Sequence, residues 1–143
     1  ICAREGADEL HETILVLQRN LFVVGAELAT APEAAERLEG GVSRVTEEMV
    51  EQAEAEIDRY MSRIELPPHF VIPGGTDLSA ALDVARSTIR RAERRVVELR
   101  DSDGLASETV LRYLNRASDL AFALARAADE ENPEIFEGRE GSE

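Results

Sequence analysis

The sequence predicts an all-α protein, an antiparallel bundle of four or five helices in an up-down arrangement. Hydrophobic residues make up 43% of the 143 residues but aromatic residues only 4%, and small or unbranched side chains favour helix-on-helix packing. Four segments also carry apolar residues spaced alternately four and three apart, the pattern of a bundle helix. We expect the bundle to occupy residues 1–131, and residues 132–143 to form an acidic, mobile tail.

The first two predicted helices fill the N-terminal half. The first covers about residues 6–29, and Gly25 within it suggests a close backbone approach. The second runs from Ser43, its predicted N-cap, to about Ile64. Three prolines then resist helix, so the segment ELPPHFVIPGG is predicted to cross the bundle in extended form.

The last two predicted helices fill the C-terminal half. The third covers about residues 77–100, with Thr76 or Asp77 as its cap, and the fourth covers about residues 106–129. The third helix has an unbroken apolar stripe that begins at Leu78. Alanines are frequent in the stripes of both, so we expect these two helices to pack closely.

The charge balance excludes some classes of partner. Thirty acidic residues against sixteen basic ones give a net charge of −14, which argues against binding to nucleic acid or to an anionic membrane surface. The basic residues are all Arg, which a high-salt cytoplasm and a GC-rich genome explain equally well. No run approaches the ~20 apolar residues of a membrane span, and no signal peptide is visible. The single Cys2 forms no intramolecular disulfide, so we expect a reducing cytoplasm.

The third helix follows a Pro-Gly-Gly turn, and four of its arginines are of interest: Arg86, Arg90, Arg91 and Arg94. At 100° per residue, Arg86, Arg90 and Glu93 lie on one flank of the apolar stripe, whereas Arg91 and Arg94 point away from it. Guanidinium groups bind phosphates well, so Arg86 and Arg90 are candidate anion-binding residues, with Glu93 holding one of them in place. The turn would also leave N–H groups of the first helical turn open to an anion.

The fourth helix carries a matching polar flank. Asn115 and Asp119 lie beside its apolar stripe, and Phe122 and Arg126 continue the same line. Facing the arginines of the third helix, these side chains could enclose a small polar ligand.

A second interpretation of the same residues stays open. Charged residues beside the stripes of a bundle often form ion pairs, here Arg86 with Glu93 or Arg90 with Asp119. Other chemistries find no support, because the sequence has no Cys/His zinc spacing, no Walker-type loop and no nucleophile elbow. We therefore expect no tightly bound metal in the protein itself.

Three blocks of the sequence resemble the PduO-type ATP:cob(I)alamin adenosyltransferases: LQRNLFVVGAELAT (17–30), FVIPGGTDLSAALDVARSTIRRAERRVV (70–97) and YLNRASDLAFALAR (113–126). The resemblance implies a ferritin-like helical bundle that assembles as a homotrimer, with sites between subunits. It implies transfer of the 5′-deoxyadenosyl group of ATP, bound with Mg²⁺, to the cobalt of cob(I)alamin, giving adenosylcobalamin and triphosphate. Co(I) is the nucleophile, so the protein supplies positioning and electrostatics.

The resemblance also implies roles for particular residues. Phe70 matches an aromatic that crowds the lower face of the corrin, excludes the lower axial ligand and so favours four-coordinate Co(II), which is easier to reduce. Arg86 matches an arginine that pairs with an aspartate across the subunit interface, and Asp119 is expected to order the arginines. Phe70, Arg86 and Arg90 are the implied catalytic residues. The implied ATP-binding residues are Arg90, Arg91, Glu93, Arg94 and Asn115.

Two departures from the family pattern accompany this resemblance. The family's N-terminal Thr/Gly-rich phosphate loop, with the helix start that follows it, has no counterpart in the printed sequence. Asp83 stands where the family commonly has His, and it is expected to pair with Arg86 one turn later.

A non-catalytic corrinoid-binding paralogue and a structural helical oligomer are the alternative functions. The enzyme would have a reductase and an adenosylcobalamin-dependent enzyme as partners.

Overall fold

The structure, a computed structural model, describes residues 3–129 and 133–139. Its four α-helices are α1 (Ala3–Leu28), α2 (Glu47–Met61), α3 (Asp77–Asp101) and α4 (Thr109–Ala127), and a short 3-10 helix (Pro32–Arg37) lies between the first two. Within the described residues no β-strand forms, only two isolated bridges. The predicted all-α class is therefore confirmed. Cys2, for which a reduced state is predicted, lies outside the described residues.

Helices α1 and α2 run in opposite directions. Near the end of α1, the backbone N–H of Val45 donates to the buried carboxylate of Glu27 at 3.3 Å. Near the start of α1, the hydroxyl groups of Thr13 and Tyr60 are 3.1 Å apart in a buried hydrogen bond. Burial raises the pKa of Glu27, while the Val45 N–H and the charge of Arg44 lower it.

Helices α2 and α4 run in the same direction. The guanidinium of Arg112 donates to Glu47 at 2.7 Å. Arg116, later on α4, lies 3.7 Å from Glu54, which is also later on α2. Because α1 runs against α2, it also runs against α4.

Helix α4 lies at the centre of the molecule. It packs against α3 and α2 over most of its length and also touches α1. Its apolar side chains are buried on more than one face, beyond the single stripe that spacing predicts. Six of the most deeply buried are Val110, Tyr113, Leu114, Ala117, Ala121 and Leu124. The small alanines let the neighbouring helices approach closely.

Two local predictions near the first connection are wrong. Thr46, and not Ser43, caps α2, because the Thr46 hydroxyl accepts from the backbone N–H of Met49 at 3.2 Å. The Ser43 hydroxyl instead accepts from the N–H of Glu39 at 2.8 Å, inside the turn that precedes the helix. At Gly25 no neighbouring element of the described chain comes within 4 Å of the point where a side chain would begin, so no close backbone approach occurs there.

The start of α3 is tied to the end of α4 by its cap. The Thr76 hydroxyl accepts from the N–H of Ser79, and the Ser79 hydroxyl accepts from the N–H of Thr76, both at 3.0 Å. The Thr76 hydroxyl also donates to the carbonyl of Ala128 at 2.7 Å. Ser79 is therefore fully buried, whereas Leu78, predicted to begin the apolar stripe, is 43% exposed.

The crossing segment between α2 and α3 pairs with part of the predicted tail. The N–H of Ile72 donates to the carbonyl of Glu134 at 2.7 Å, and the N–H of Phe136 donates to the carbonyl of Phe70 at 2.8 Å. Val71 and Ile135 form an antiparallel bridge between them. Residues 133–139 thus run beside Phe70, and the mobility of the tail as a whole stays a prediction.

Thr76→Ala should destabilise the protein, because it removes both the cap of α3 and the hydrogen bond to Ala128. We expect a loss of about 1–2 kcal/mol in the free energy of unfolding, or about 3–8 °C in Tm. Thermal denaturation followed by circular dichroism measures this. Ser87→Ala is the matched control, since Ser87 is exposed on the same helix and donates only to the Asp83 carbonyl. Equal Tm values for the two variants would contradict the role of the cap.

Glu27→Gln should change the pH dependence of stability. Because the folded-state pKa of Glu27 is raised, this carboxyl contributes stability at low pH that is lost as the pH rises through that pKa. The free energy of unfolding of Glu27→Gln minus that of wild type should therefore be larger at pH 7 than at pH 4. Urea denaturation at both pH values measures this difference. A difference that stays constant or shrinks toward pH 7 would refute it.

Candidate functional site

Helices α3 and α4 lie antiparallel, and three pairs of side chains meet along one side of their contact. We call this side the α3/α4 flank, and its pairs are Asp83 with Arg126, Arg86 with Phe122, and Glu93 with Asn115. Residues later in α3 pair with residues earlier in α4, as expected for antiparallel helices. The flank therefore brings together several of the residues that the sequence singles out, with partners that spacing alone does not identify.

Glu93 and Asn115 form the pair farthest along α3. The side-chain N–H₂ of Asn115 donates to a carboxylate oxygen of Glu93 at 3.2 Å, and both side chains are half-buried. The prediction that Glu93 holds Arg86 or Arg90 is therefore wrong. The bond fixes the Asn115 amide and leaves its carbonyl oxygen as an available acceptor.

Asp83 and Arg126 form the pair nearest the start of α3. Arg126 donates to Asp83 at 2.6 Å, and its Nε lies 2.8 Å from the carboxylate of Asp129. The side chains of Arg126 and Asp129 are only 5% and 3% exposed. The expected pairing of Asp83 with Arg86 is therefore wrong, because the buried arginine needs carboxylate partners more than the half-exposed one does.

Arg86 lies against an aromatic ring instead of a carboxylate. Its guanidinium carbon is 5.2 Å from the centre of the Phe122 ring, within the range of a cation–π contact. Within the described residues Arg86 makes no ion pair, so the alternative pair of Arg86 with Glu93 is not formed.

The other α3 arginines that the sequence singles out are exposed. Arg90, Arg91 and Arg94 have no carboxylate within ion-pair distance in the part of the chain that the structure describes. Asp119 lies 3.6 Å from Arg116 on its own helix, so the alternative pair of Arg90 with Asp119 is not formed either. These arginines keep their full positive charge for another partner.

The first turn of α3 is less open to an anion than the Pro-Gly-Gly turn suggests. Its capping box already uses the N–H groups of Thr76 and Ser79. The carboxylate of Asp129 lies against the turn, 3.2 Å from where a side chain at Gly75 would begin. The anion site at this helix start stays a prediction, and the arginines without carboxylate partners among the described residues lie further along α3.

Phe70 lies apart from the α3/α4 flank, on the crossing segment. Its side chain is 84% exposed although its backbone is fixed by the hydrogen bond from Phe136. Within the described residues no cation–π contact joins Phe70 to an arginine of α3. In the same part of the chain, no cluster of three or more His, Cys, Asp or Glu side chains could hold a metal ion.

Sequence reasoning missed the buried cluster of Asp83, Arg126 and Asp129. Arg126 could be placed on the polar line of the fourth helix, but its pairing with Asp83 depends on how α3 packs against α4. In the sequence, Asp129 marks only the predicted end of that helix. A carboxylate three residues after an arginine near a helix end was the available signal.

Comparisons with known proteins show which family this chain resembles. A profile of the family described as cobalamin adenosyltransferase matches residues 1–128. The corrinoid adenosyltransferase PduO of Salmonella typhimurium is 41% identical over 90% of this chain, and the corrinoid adenosyltransferase of Bacillus subtilis is 39% identical over 90%. The chain spans 38% and 63% of the lengths of these two relatives.

Solved structures give the same result. A variant of the PduO-type ATP:corrinoid adenosyltransferase from Lactobacillus reuteri, complexed with cobalamin and ATP, has a TM-score of 0.75 and 32% identity, covering 95% of this chain and 75% of that one. A second variant, complexed with ATP, has a TM-score of 0.74 and 34% identity, covering 87% and 67%. The resemblance found in the three sequence blocks is confirmed: this chain belongs to the cobalamin adenosyltransferase family.

Proposed function

We propose that this chain transfers the 5′-deoxyadenosyl group of ATP to the cobalt of cob(I)alamin, giving adenosylcobalamin and triphosphate. The observation that carries the proposal is the set of α3 arginines without carboxylate partners among the described residues of a chain with net charge −14. The names of its relatives, and a neighbour complexed with cobalamin and ATP, support the same reaction.

The exposed arginines of α3 fit the triphosphate of ATP. Other exposed arginines of this acidic chain do find carboxylates, as Arg95 does with Glu98 at 3.0 Å. Arg90, Arg91 and Arg94 find none among the described residues, which leaves three guanidinium forks for phosphate oxygens. Their charge would stabilise the triphosphate as it leaves, when negative charge grows on the oxygen that was bonded to C5′.

Asn115 would recognise the nucleotide on the same flank. Because its amide N–H₂ donates to Glu93, its carbonyl oxygen is oriented to accept from a hydroxyl or amino group of ATP. Glu93 then acts through Asn115, although the resemblance places it among the ATP-binding residues themselves. Asp119, paired with Arg116, would support the arginines from α4.

Phe70 would contact the corrin. An exposed aromatic on a backbone fixed by pairing with residues 134–136 provides a flat apolar surface at a defined position. Against the lower face of the corrin it would exclude the axial ligand and favour the four-coordinate cobalt that is more easily reduced. The cobalt of the reduced corrinoid then attacks C5′ of ATP, so that the cobalt–carbon bond forms as the carbon–oxygen bond to the triphosphate breaks.

The site requires more than one subunit in this proposal. Arg91 and Arg94 point away from α4, and Arg86 has no carboxylate in the described part of its own chain. A ferritin-like bundle assembled as a homotrimer, with sites between subunits, would cover the arginines and bring an aspartate to Arg86. Mg²⁺ would enter with the phosphates of ATP.

Further parts of the proposal concern the cellular setting. The enzyme would work in the cytoplasm, with a reductase to supply Co(I) and an adenosylcobalamin-dependent enzyme to use the product. Nucleic acid and membranes are not proposed as partners. None of the described helices is both long and apolar enough to cross a membrane.

The test is an anaerobic assay with the longest form of the protein that the gene encodes. ATP is added to the protein with chemically reduced cob(I)alamin, at low and at high salt, and the absorbance spectrum is followed. Appearance of a light-sensitive alkylcobalamin spectrum with an equal amount of triphosphate would support the enzyme. Corrinoid binding without conversion would favour the non-catalytic paralogue, and binding of neither ligand would favour a structural oligomer.

Arg90→Ala should raise the KM for ATP while the bundle stays folded. Removing one charged donor to phosphate costs about 10- to 100-fold in affinity, and the exposed Arg90 contributes little to the core. Steady-state kinetics against ATP measure the change, with Tm as the check on folding. Arg95→Ala is the matched control, because Arg95 is also exposed and already pairs with Glu98. If both variants keep the wild-type KM, Arg90 does not contact ATP.

Phe70→Ala should leave ATP binding unchanged but slow formation of the cobalt–carbon bond. We expect a decrease on the order of tenfold, from the lost aromatic contact with the corrin. Single-turnover absorbance measures the bond-forming rate, and equilibrium titration measures ATP binding. Val42→Ala serves as control, since Val42 is also exposed but lies in the turn before α2. A wild-type rate for Phe70→Ala would remove this residue from the corrin site.

A further inference from the structure

The ring of Phe122 contacts two guanidinium groups. The guanidinium carbon of Arg86 is 5.2 Å from the ring centre and that of Arg126 is 5.4 Å from it. Both distances lie within the range of a cation–π contact, in which the negative face of the ring attracts the cation. Phe122 is thus the common neighbour of one arginine from each helix of the α3/α4 flank.

The two arginines are held very differently. Arg126 is buried and lies within ion-pair distance of two carboxylates, Asp83 at 2.6 Å and Asp129 at 2.8 Å. Two carboxylates more than neutralise one guanidinium, so Arg126 can lie near Arg86 without a large repulsion. Its side chain is only 5% exposed, so Arg126 is a fixed neighbour of the ring.

Arg86 has only the ring to hold it among the described residues. The nearest carboxylate on its own helix, Asp83, is engaged by Arg126, and Glu93 is engaged by Asn115. The face of Phe122 is therefore the contact that limits the motion of the Arg86 guanidinium in this part of the chain. A stack of this kind orients a guanidinium while leaving its N–H groups available for another partner.

We infer that Phe122 is a positioning residue for Arg86, and that the ring itself is held by its contact with Arg126, which Asp83 and Asp129 fix in place. The inference rests on the proposed function, in which Arg86 acts in the site between subunits. The ring holds the guanidinium flat so that its donors face an anionic group outside its own chain. The Asp at position 83 contributes by pairing with Arg126, which keeps Arg86 free of a carboxylate on its own helix.

The test compares Phe122→Leu with Phe122→Tyr. Leucine fills much of the same space without a π face, whereas tyrosine keeps the ring. The first readout needs no substrate: the Nε–H resonance of Arg86, assigned by its loss in Arg86→Lys, should be shifted upfield by the ring in wild type and in Phe122→Tyr. It should return toward the position of an exposed arginine in Phe122→Leu.

The second readout is catalysis. Phe122→Leu should lower kcat by about 3- to 30-fold, with a change in the KM for ATP of less than about twofold, because the charge of Arg86 is kept but its orientation is lost. Phe122→Tyr should restore kcat to near the wild-type value. Tm and ATP-binding stoichiometry normalise for folded protein, and Phe122→Met provides a second variant without a ring if leucine unfolds the bundle.

The outcomes separate this inference from the proposed function. Three results would each overturn the positioning role. The first is an Arg86 Nε–H resonance that is not shifted upfield in wild type. The others are a wild-type kcat for both Phe122→Leu and Phe122→Met, or a kcat for Phe122→Tyr as low as that of Phe122→Leu. If the wild-type protein converts no cob(I)alamin, the proposed function fails by itself. An upfield Arg86 resonance would then show the stack while removing its catalytic purpose.

Discussion

The packing of α3 against α4 is the contact on which the other features of this protein depend. Alanines and a serine on α4 allow α3 to approach closely enough for polar side chains of the two helices to bond to each other. At one end, the hydrogen bond from Thr76 to the carbonyl of Ala128 fixes the position of α3 along α4. The bond between Asn115 and Glu93 fits the same register further along. Every pair on the α3/α4 flank follows from this alignment.

Electrostatics then divides the arginines of the flank into two kinds. Arg126 is buried, and a buried charge without a partner would be costly, so Asp83 and Asp129 neutralise it. Arg86 is half-exposed and Arg90, Arg91 and Arg94 are exposed, so water stabilises these four without a carboxylate of the described residues. They remain positive in a strongly acidic chain, which makes one side of α3 the natural place for a triphosphate in the proposed reaction.

The sequence predicted the helices and their apolar stripes well, because both depend on periodicity within one segment. The cap at Thr76 was also predictable, since it needs only residues three positions apart. The partners of Asp83 and Glu93 were not. Spacing along α3 predicted Arg86 as a partner for both Asp83 and Glu93. In the structure each of these carboxylates instead bonds to a residue of α4. Placement on a flank follows from helix geometry, but the choice of partner depends on the neighbouring helix.

The sequence by itself determined the all-α class, the motifs that identify the family, and the position of Arg86 and Glu93 on one flank of α3. These follow from local periodicity and from residue types at fixed spacings. Only the tertiary structure decided that Arg126 is buried, that it takes Asp83, and that Arg86 lies on Phe122 instead. Burial sets the cost of leaving a charge unpaired, and burial is known only when the helices have been packed together.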